Sequence, residues 1–343
     1  MKTATIKDVA KEAGVSISVV SYVMNNNPNV SISKETREKV LRAAKKLNYT
    51  PNSIARSMRT KKSMIIGLAT FWDISDSVFT DILKGVDSVA GKYGYSVTYC
   101  NITNSFNSNK ITELYSQRQI DGVILLLHVD PAISFNEIEF INNIKSSKIP
   151  AVVINGNTED PDISYVYIDY YGTSYTAVNY LYKLGHRNFC YMLPDEIELN
   201  GKQALRRING YKDALKNLKL TDSGLYFDRE AICDAINLLN SFSPAERPTA
   251  VIVNKTRYAA YLLRTFGEHG IKVPDDISVI ACNDQNIAEF LTPPLTTIKV
   301  PTYAIGQKSA DILFEILQGK SLNIKLKLSN EVVERSSCKS LQA

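Results

Sequence analysis

The sequence predicts two fold classes in one chain: an N-terminal all-α helix-turn-helix headpiece, then an α/β body of two parallel-sheet lobes. Three observations predict this. Over the first fifty residues, apolar side chains recur at helical spacing around a glycine turn. Beyond residue 63, short Val- and Ile-rich runs alternate with stretches of helical periodicity. The two parts also carry opposite charge. Before residue 63, nine Lys and four Arg stand against one Asp and three Glu, a net +9; the whole chain has 40 basic and 35 acidic residues, so the remainder is −4. A basic headpiece on a mildly acidic body is the pattern of a phosphate-binding domain.

Ile6, Val9, Ala10 and Ala13 give the first helix one apolar face. Gly14 closes it, because a left-handed turn costs glycine no Cβ clash. Ser16 caps a second helix, 16–24, whose Val19, Val20 and Val23 turn inward. Ser33 caps a third, with Glu35 and Glu38 complementing its positive end and Val40, Leu41, Ala44 and Leu47 as its core face. Pro51 suits the first position of a short fourth helix. Residues 51–59 hold few apolar side chains, so they are either a linker or a helix that folds on its target.

In the body, strands are expected at Met64–Ala69, Tyr95–Tyr99, Gly122–Leu127, Ala151–Ile154, Phe189–Met192, Ala250–Val253 and Ser278–Ala281. Helices are expected at Thr80–Tyr93, Ile138–Lys145, Thr173–Leu184, Ile208–Leu215, Ala231–Leu239 and Tyr258–Gly267. Roughly 280 residues exceed one core and divide into two lobes.

The five cysteines are scattered with no CxxC pair, so they read as buried thiols, and the three histidines have no zinc spacing. His186 reads as structural. The first thirty residues hold no secretory apolar segment, and no apolar run is long enough to cross a membrane, so the chain is expected to be cytoplasmic. No GxSxG, HExxH or phosphate loop is present. The chain is therefore read as a non-enzyme without a cofactor or metal.

The stretches TIKDVAKEAGVS (5–16), VSYVMNN (20–26), LNYTPNSIARSMRT (47–60) and IIGLA (65–69) resemble the LacI/GalR family of bacterial transcription regulators. The resemblance continues through DGVILL (121–126), IPAVVIN (149–155), LGHRN (184–188), RINGY (207–211), PTAVIV (248–253), VPDDISVI (273–280) and PPLTTI (293–298), and so covers essentially the whole chain. It implies a repressor with a headpiece over 1–50, a hinge helix or linker over 51–62 and an effector-binding and dimerisation domain over 63–343. The last resembles periplasmic sugar-binding proteins, with one lobe at about 63–160 plus 293–322 and the other at about 161–292 plus 323–343.

On the second helix, Ile17, Ser18 and Tyr22 share one face, and the resemblance places them in the major groove of a pseudo-palindromic double-stranded operator. Ile17 is otherwise a half-buried core residue. Thr5, Asn25, Tyr49 and Arg56 are read as positioning the phosphate backbone. Met58 stands where the family has a leucine that wedges into the minor groove between the paired hinge helices of a homodimer, and Ala55 is small enough to let those helices approach.

For the effector, the resemblance points to Phe79, to Arg207 in its RxxGY stretch, and to Asn283, where an aspartate is usual. Lys255-Thr256 replaces an Asn-Asp pair, so two ligand carboxylates are absent. An amide and a lysine in their place suit neutral or anionic ligands, a sugar or a sugar phosphate. Trp72 follows the first strand and either stacks on a ligand ring or packs in the core.

Overall fold

The computed structural model describes residues 4–24, 30–49, 62–71, 74, 77–102, 109–127, 135–192, 202–222, 226–227, 236, 239, 243 and 247–342. Asn25, Ala55, Arg56, Met58, Trp72 and most of the helix expected at 231–239 lie outside them. The chain divides into two units, Met1–Met64 and Ile65–Ala343.

The first unit holds α1 (Ile6–Ala13), α2 (Ile17–Met24) and α3 (Lys34–Lys46). Each contributes one fully buried valine to a common core, Val9, Val20 and Val40, with Ala10, Val23, Ala43 and Ala44 around them. Gly14 adopts φ 65°, and the next amide, of Val15, donates back to Ala10 O at 3.1 Å, which closes α1 and frees the chain to reverse. Ser16 Oγ accepts from Val19 N at 3.3 Å, and Ser33 Oγ accepts from Thr36 N at 3.2 Å, so both expected caps form. Leu41 corrects the expected core face: it is 48% exposed, and Ala43 is buried instead. One step from Val40 turns a helix by 100°, whereas positions 43, 44 and 47 return to Val40's face.

The described residues of the second unit form two six-stranded sheets. The first uses β1 (Ile65–Thr70), β2 (Ser96–Asn101), β3 (Gly122–Leu126), β4 (Ala151–Ile154), β5 (Ser164–Tyr167) and β11 (Lys325–Lys327), in the order β11-β5-β4-β3-β1-β2, all parallel. The second uses β6 (Phe189–Met192), β7 (Tyr226–Phe227), β8 (Ala250–Val253), β9 (Ser278–Ala281), β10 (Thr296–Lys299) and β12 (Glu331–Val333), in the order β12-β10-β9-β8-β6-β7; only β12 runs antiparallel, against β10. The connecting helices are α4 (Ser77–Lys92), α5 (Lys110–Ser116), α6 (Glu137–Ser146), α7 (Tyr170–Lys183), α8 (Lys202–Asn217), α9 (Thr256–Glu268) and α10 (Thr302–Leu317).

Both faces of each sheet are covered. Ile66, Leu68, Ile124, Leu126, Val152 and Ile154 pack against α4 and α10; Ala69, Val123, Leu125 and Val153 point the other way, against α5 and α6. In the second sheet Phe189, Tyr191, Ile252, Ile280 and Ile298 face α7 and α8, while Cys190, Val251, Val253 and Val279 face α9 and the buried Ile236 and Leu239. Burial on both faces is why these strands read as unbroken apolar runs. It also pushes the Cys190 and Cys282 thiols up, which keeps them uncharged.

The lobe boundaries expected from sequence need correction. β5 belongs to the first sheet, β10 to the second and β11 to the first. The chain therefore crosses near 168, near 300 and between β11 and β12, giving a first lobe of about 65–168 plus 301–327. The expected boundaries near 160, 293 and 323 each fell short of a strand. Ser164–Tyr167 (SYVY) and Thr296–Lys299 (TTIK) lack the aliphatic signal that marked the others.

Candidate nucleic-acid interface and ligand cleft

In the first unit, α2 carries no charged side chain. Its inner face buries Val20 and Val23; Ile17, Ser18 and Tyr22 lie on the other side, with Ile17 44% and Tyr22 36% exposed. Ile17 is thus outward-facing rather than part of the core. The cations come from α1 and α3: Lys7, Lys11, Lys34, Arg37, Lys39, Arg42, Lys45 and Lys46, of which Lys39 and Lys46 pair with Glu35 and Glu12. An uncharged helix packed against two cation-bearing helices can present hydroxyl and methyl groups to base edges while its neighbours meet phosphates.

Thr5 caps α1 and is exposed; its amide and hydroxyl donate to Asp8 Oδ2 at 2.9 and 2.8 Å. That hydroxyl must therefore turn from Asp8 to donate to a phosphate. Tyr49 follows the left-handed Asn48 (φ 47°) and packs half-buried on the headpiece core; desolvation raises its phenol pKa, so it stays a neutral donor.

In the second unit, a cleft of about 960 Å³, part of it open solvent, lies between the lobes. From the first lobe it is lined by Ser77, Val78 and Asp81 of α4, and by Val300 and Thr302 at the start of α10. Ile168 and Tyr170, at the first crossing, and Arg207 of α8 line it next. Lys255 and Arg257 at the start of α9, with Asn283, Asp284 and Gln285 after β9, complete it. The parallel strands of both sheets have their C-termini on this side, so the helices that follow them begin here.

Three expected residues are brought together: Arg207, Lys255 and Asn283. Phe79 is not among them and is corrected. It is 3% exposed, in the core between β1 and α10, with its ring edge-on to Tyr99 at 5.8 Å. On a helix, Ser77, Val78 and Asp81 turn to the cleft and position 79 turns to the sheet.

Arg207 is 7% exposed, and its guanidinium stacks over the Tyr170 ring at 4.3 Å. Its Nε is buried without a hydrogen-bond partner. Asn283 is committed elsewhere: its Oδ1 accepts from Thr256 N at 2.6 Å and from the Thr256 hydroxyl at 3.2 Å, which caps α9 from across the loop. Asp284 Oδ1 accepts from Thr297 Oγ1 at 2.6 Å and pairs with Arg335 at 3.0 Å. Gln285 Nε2 donates to Ser77 Oγ at 3.0 Å and so joins the two lobes. Sequence reasoning missed Tyr170, Arg257, Gln285 and Thr302. The available signal was positional: each sits at or just before the first turn of a helix that follows a strand, or in a loop leaving one.

His186 is fully buried, with Nδ1 2.8 Å from Thr249 Oγ1 and Nε2 3.1 Å from Lys339 O. It is structural, and burial lowers its pKa.

Residues 5–52 match the family described as bacterial regulatory proteins, lacI family, and residues 178–338 match a periplasmic binding protein-like domain. The HTH-type transcriptional regulator RegA of Clostridium acetobutylicum is 32% identical, over 98% of this chain and 99% of its own length. The HTH-type transcriptional repressor PurR of Vibrio atlanticus is 29% identical over the same shares. Among solved structures, the Lac repressor dimer bound to operator and the anti-inducer ONPF aligns with a TM-score of 0.79 and 25% identity, over 98% of this chain and 100% of that one. The regulator CelR in complex with cellobiose aligns at 0.67 and 23%, over 97% and 99%, a likeness of fold.

Proposed function

Because this chain belongs to the lacI family of bacterial regulatory proteins and is a DNA-binding transcription regulator, we propose that it is a cytoplasmic, homodimeric repressor whose operator affinity is set by a sugar-sized effector held between its lobes. Ile17, Ser18 and Tyr22 read bases, and Thr5 and Tyr49, with Asn25 and Arg56, position the backbone. Arg207 and Lys255 contact the effector. The effector changes the opening of the lobes, and with it the spacing of the two headpieces on an operator.

The observation that carries this reading is the cleft. It gathers polar groups from both lobes at the carboxyl ends of the parallel strands of two sheets, in a chain whose N-terminal unit exposes the polar face of an uncharged helix packed against two cation-bearing helices. The domain boundaries that follow are a headpiece to about residue 50, a linker to about 62 and an effector domain beyond it.

The test begins with operator selection from a random duplex pool by the intact chain, followed by binding in a salt series with and without residues 1–64. Enrichment of a pseudo-palindrome, a steep salt slope and its loss on truncation are expected. A pool left without enrichment overturns the sequence-specific reading. Operator affinity unmoved by any sugar or sugar ester removes the effector from it.

A further inference from the structure

We propose that the effector is the phosphate monoester of a sugar, with its phosphate held by Arg207, Lys255 and Arg257 against the first turn of α9. This deepens the effector reading above and rests on it. Three independent features of the cleft converge on a dianion.

The first is charge. Among the described residues, three cations and two carboxylates line the cleft, and both carboxylates already have a cationic partner from outside it: Arg335 for Asp284 at 3.0 Å, and Lys84 for Asp81 at 3.6 Å. Counted with those partners, these described residues are five cations against two anions. The second is Arg207. A guanidinium nine-tenths buried, with Nε lacking any partner, bears a cost that an anionic ligand relieves. The third is the convergence of helix N-termini. First-turn residues of α4, α7, α9 and α10 all line the cleft; the α7 end is capped by the Asp169 carboxylate, which accepts from Gly172 N at 3.0 Å, so three helix ends bring uncompensated positive character there. At α9 the capping oxygen comes from a neutral amide, Asn283, rather than from a carboxylate. The positive end of that helix is hydrogen-bonded without being neutralised. The remaining polar groups, Ser77, Gln285 and Thr302, are of the kind that meets sugar hydroxyls.

The experiment measures the melting temperature and calorimetric affinity of the full chain with glucose, fructose, galactose and ribose. Each is compared with its 6-phosphate, or for ribose the 5-phosphate; glucuronate and inorganic phosphate are further arms. At least one ester should stabilise the protein and bind at least tenfold tighter than its parent sugar. Lys255→Gln should weaken that ester about tenfold and change its parent sugar little, since one charge-assisted contact is lost. Asn283→Asp should weaken the ester by like-charge repulsion and leave the neutral sugar unchanged or tighter. Lys216→Gln, on the exposed side of α8, should change nothing. Arg207→Lys keeps the charge and tests the fork geometry if Arg207→Ala fails to fold.

A neutral sugar bound as tightly as its ester, or glucuronate bound in preference to every ester, overturns the phosphate assignment and leaves the effector reading intact. Improvement of ester binding by Asn283→Asp also overturns it. If no compound in any arm alters melting or operator binding, both readings fall together.

Discussion

Tyr22 is the residue of α2 with the most to offer a base edge, since it combines a hydroxyl with a ring and is 36% exposed opposite the buried Val20 and Val23. Tyr22→Ala removes contact without removing charge. It should lower affinity for the selected operator about tenfold and leave binding to random duplex within a factor of two, measured by fluorescence anisotropy. An equal loss on both duplexes would show that Tyr22 does not read sequence.

His186 makes a second prediction at this scale. Burial holds its folded pKa below the ordinary value of 6.5, so the unfolded chain takes up a proton first as pH falls. The stability carried by neutral His186 is fully present above about pH 6.5 and drains away below it. The slope approaches about 1.4 kcal/mol per pH unit until the folded protein protonates too. His186→Gln should flatten the decline between pH 6.5 and 5 in urea titrations; an unchanged slope would assign the effect to other groups.

Among the elements, the pair α4 and α10 depends on two glycines. A Cβ on Gly85 would stand 2.2 Å from Tyr303 O, and one on Gly306 would stand 2.2 Å from Ile82 O. The obstacles are backbone atoms of the facing helix, so neither clash is relieved by turning a side chain. Gly306→Ala should destabilise the second unit by about 1–3 kcal/mol through forced separation of the helices, even though alanine has the better helix propensity. Gly267→Ala, whose Cβ meets nothing within 4 Å, is the matched control and should be neutral or stabilising. A Gly306→Ala melting point at or above wild type would show that the two helices slide apart freely.

For the whole molecule, lobe closure is the quantity that the proposed effector has to change. The Gln285–Ser77 hydrogen bond runs from the loop after β9 in one lobe to the first residue of α4 in the other. Gln285→Ala removes a contact between the lobes worth about 0.5–1.5 kcal/mol. It should weaken effector affinity up to about tenfold and raise the radius of gyration of the unliganded protein in solution scattering. Scattering and affinity both equal to wild type would exclude this bond from closure. A change in affinity alone would place Gln285 on the ligand.

The sequence by itself determined the two fold classes, the three headpiece helices with their Gly14 turn and their Ser16 and Ser33 caps, and seven of the strands. These rest on short-range chemistry: a left-handed turn, a capping oxygen, an aliphatic run, each complete within a few residues. The family resemblance also pointed to Arg207, Lys255 and Asn283, which the fold brings to one cleft. Only the tertiary structure decided which lobe owned β5, β10 and β11, because strand partners lie up to about 160 residues apart and leave no local mark. It alone turned Phe79 into the core and Leu41 out to solvent, through a one-residue phase on a helix. It alone joined Gln285 to Ser77, and set Arg207 over Tyr170 with its Nε unsatisfied. Those pairings are settled by how two sheets and their helices pack around a cleft, and no stretch of chain encodes them alone.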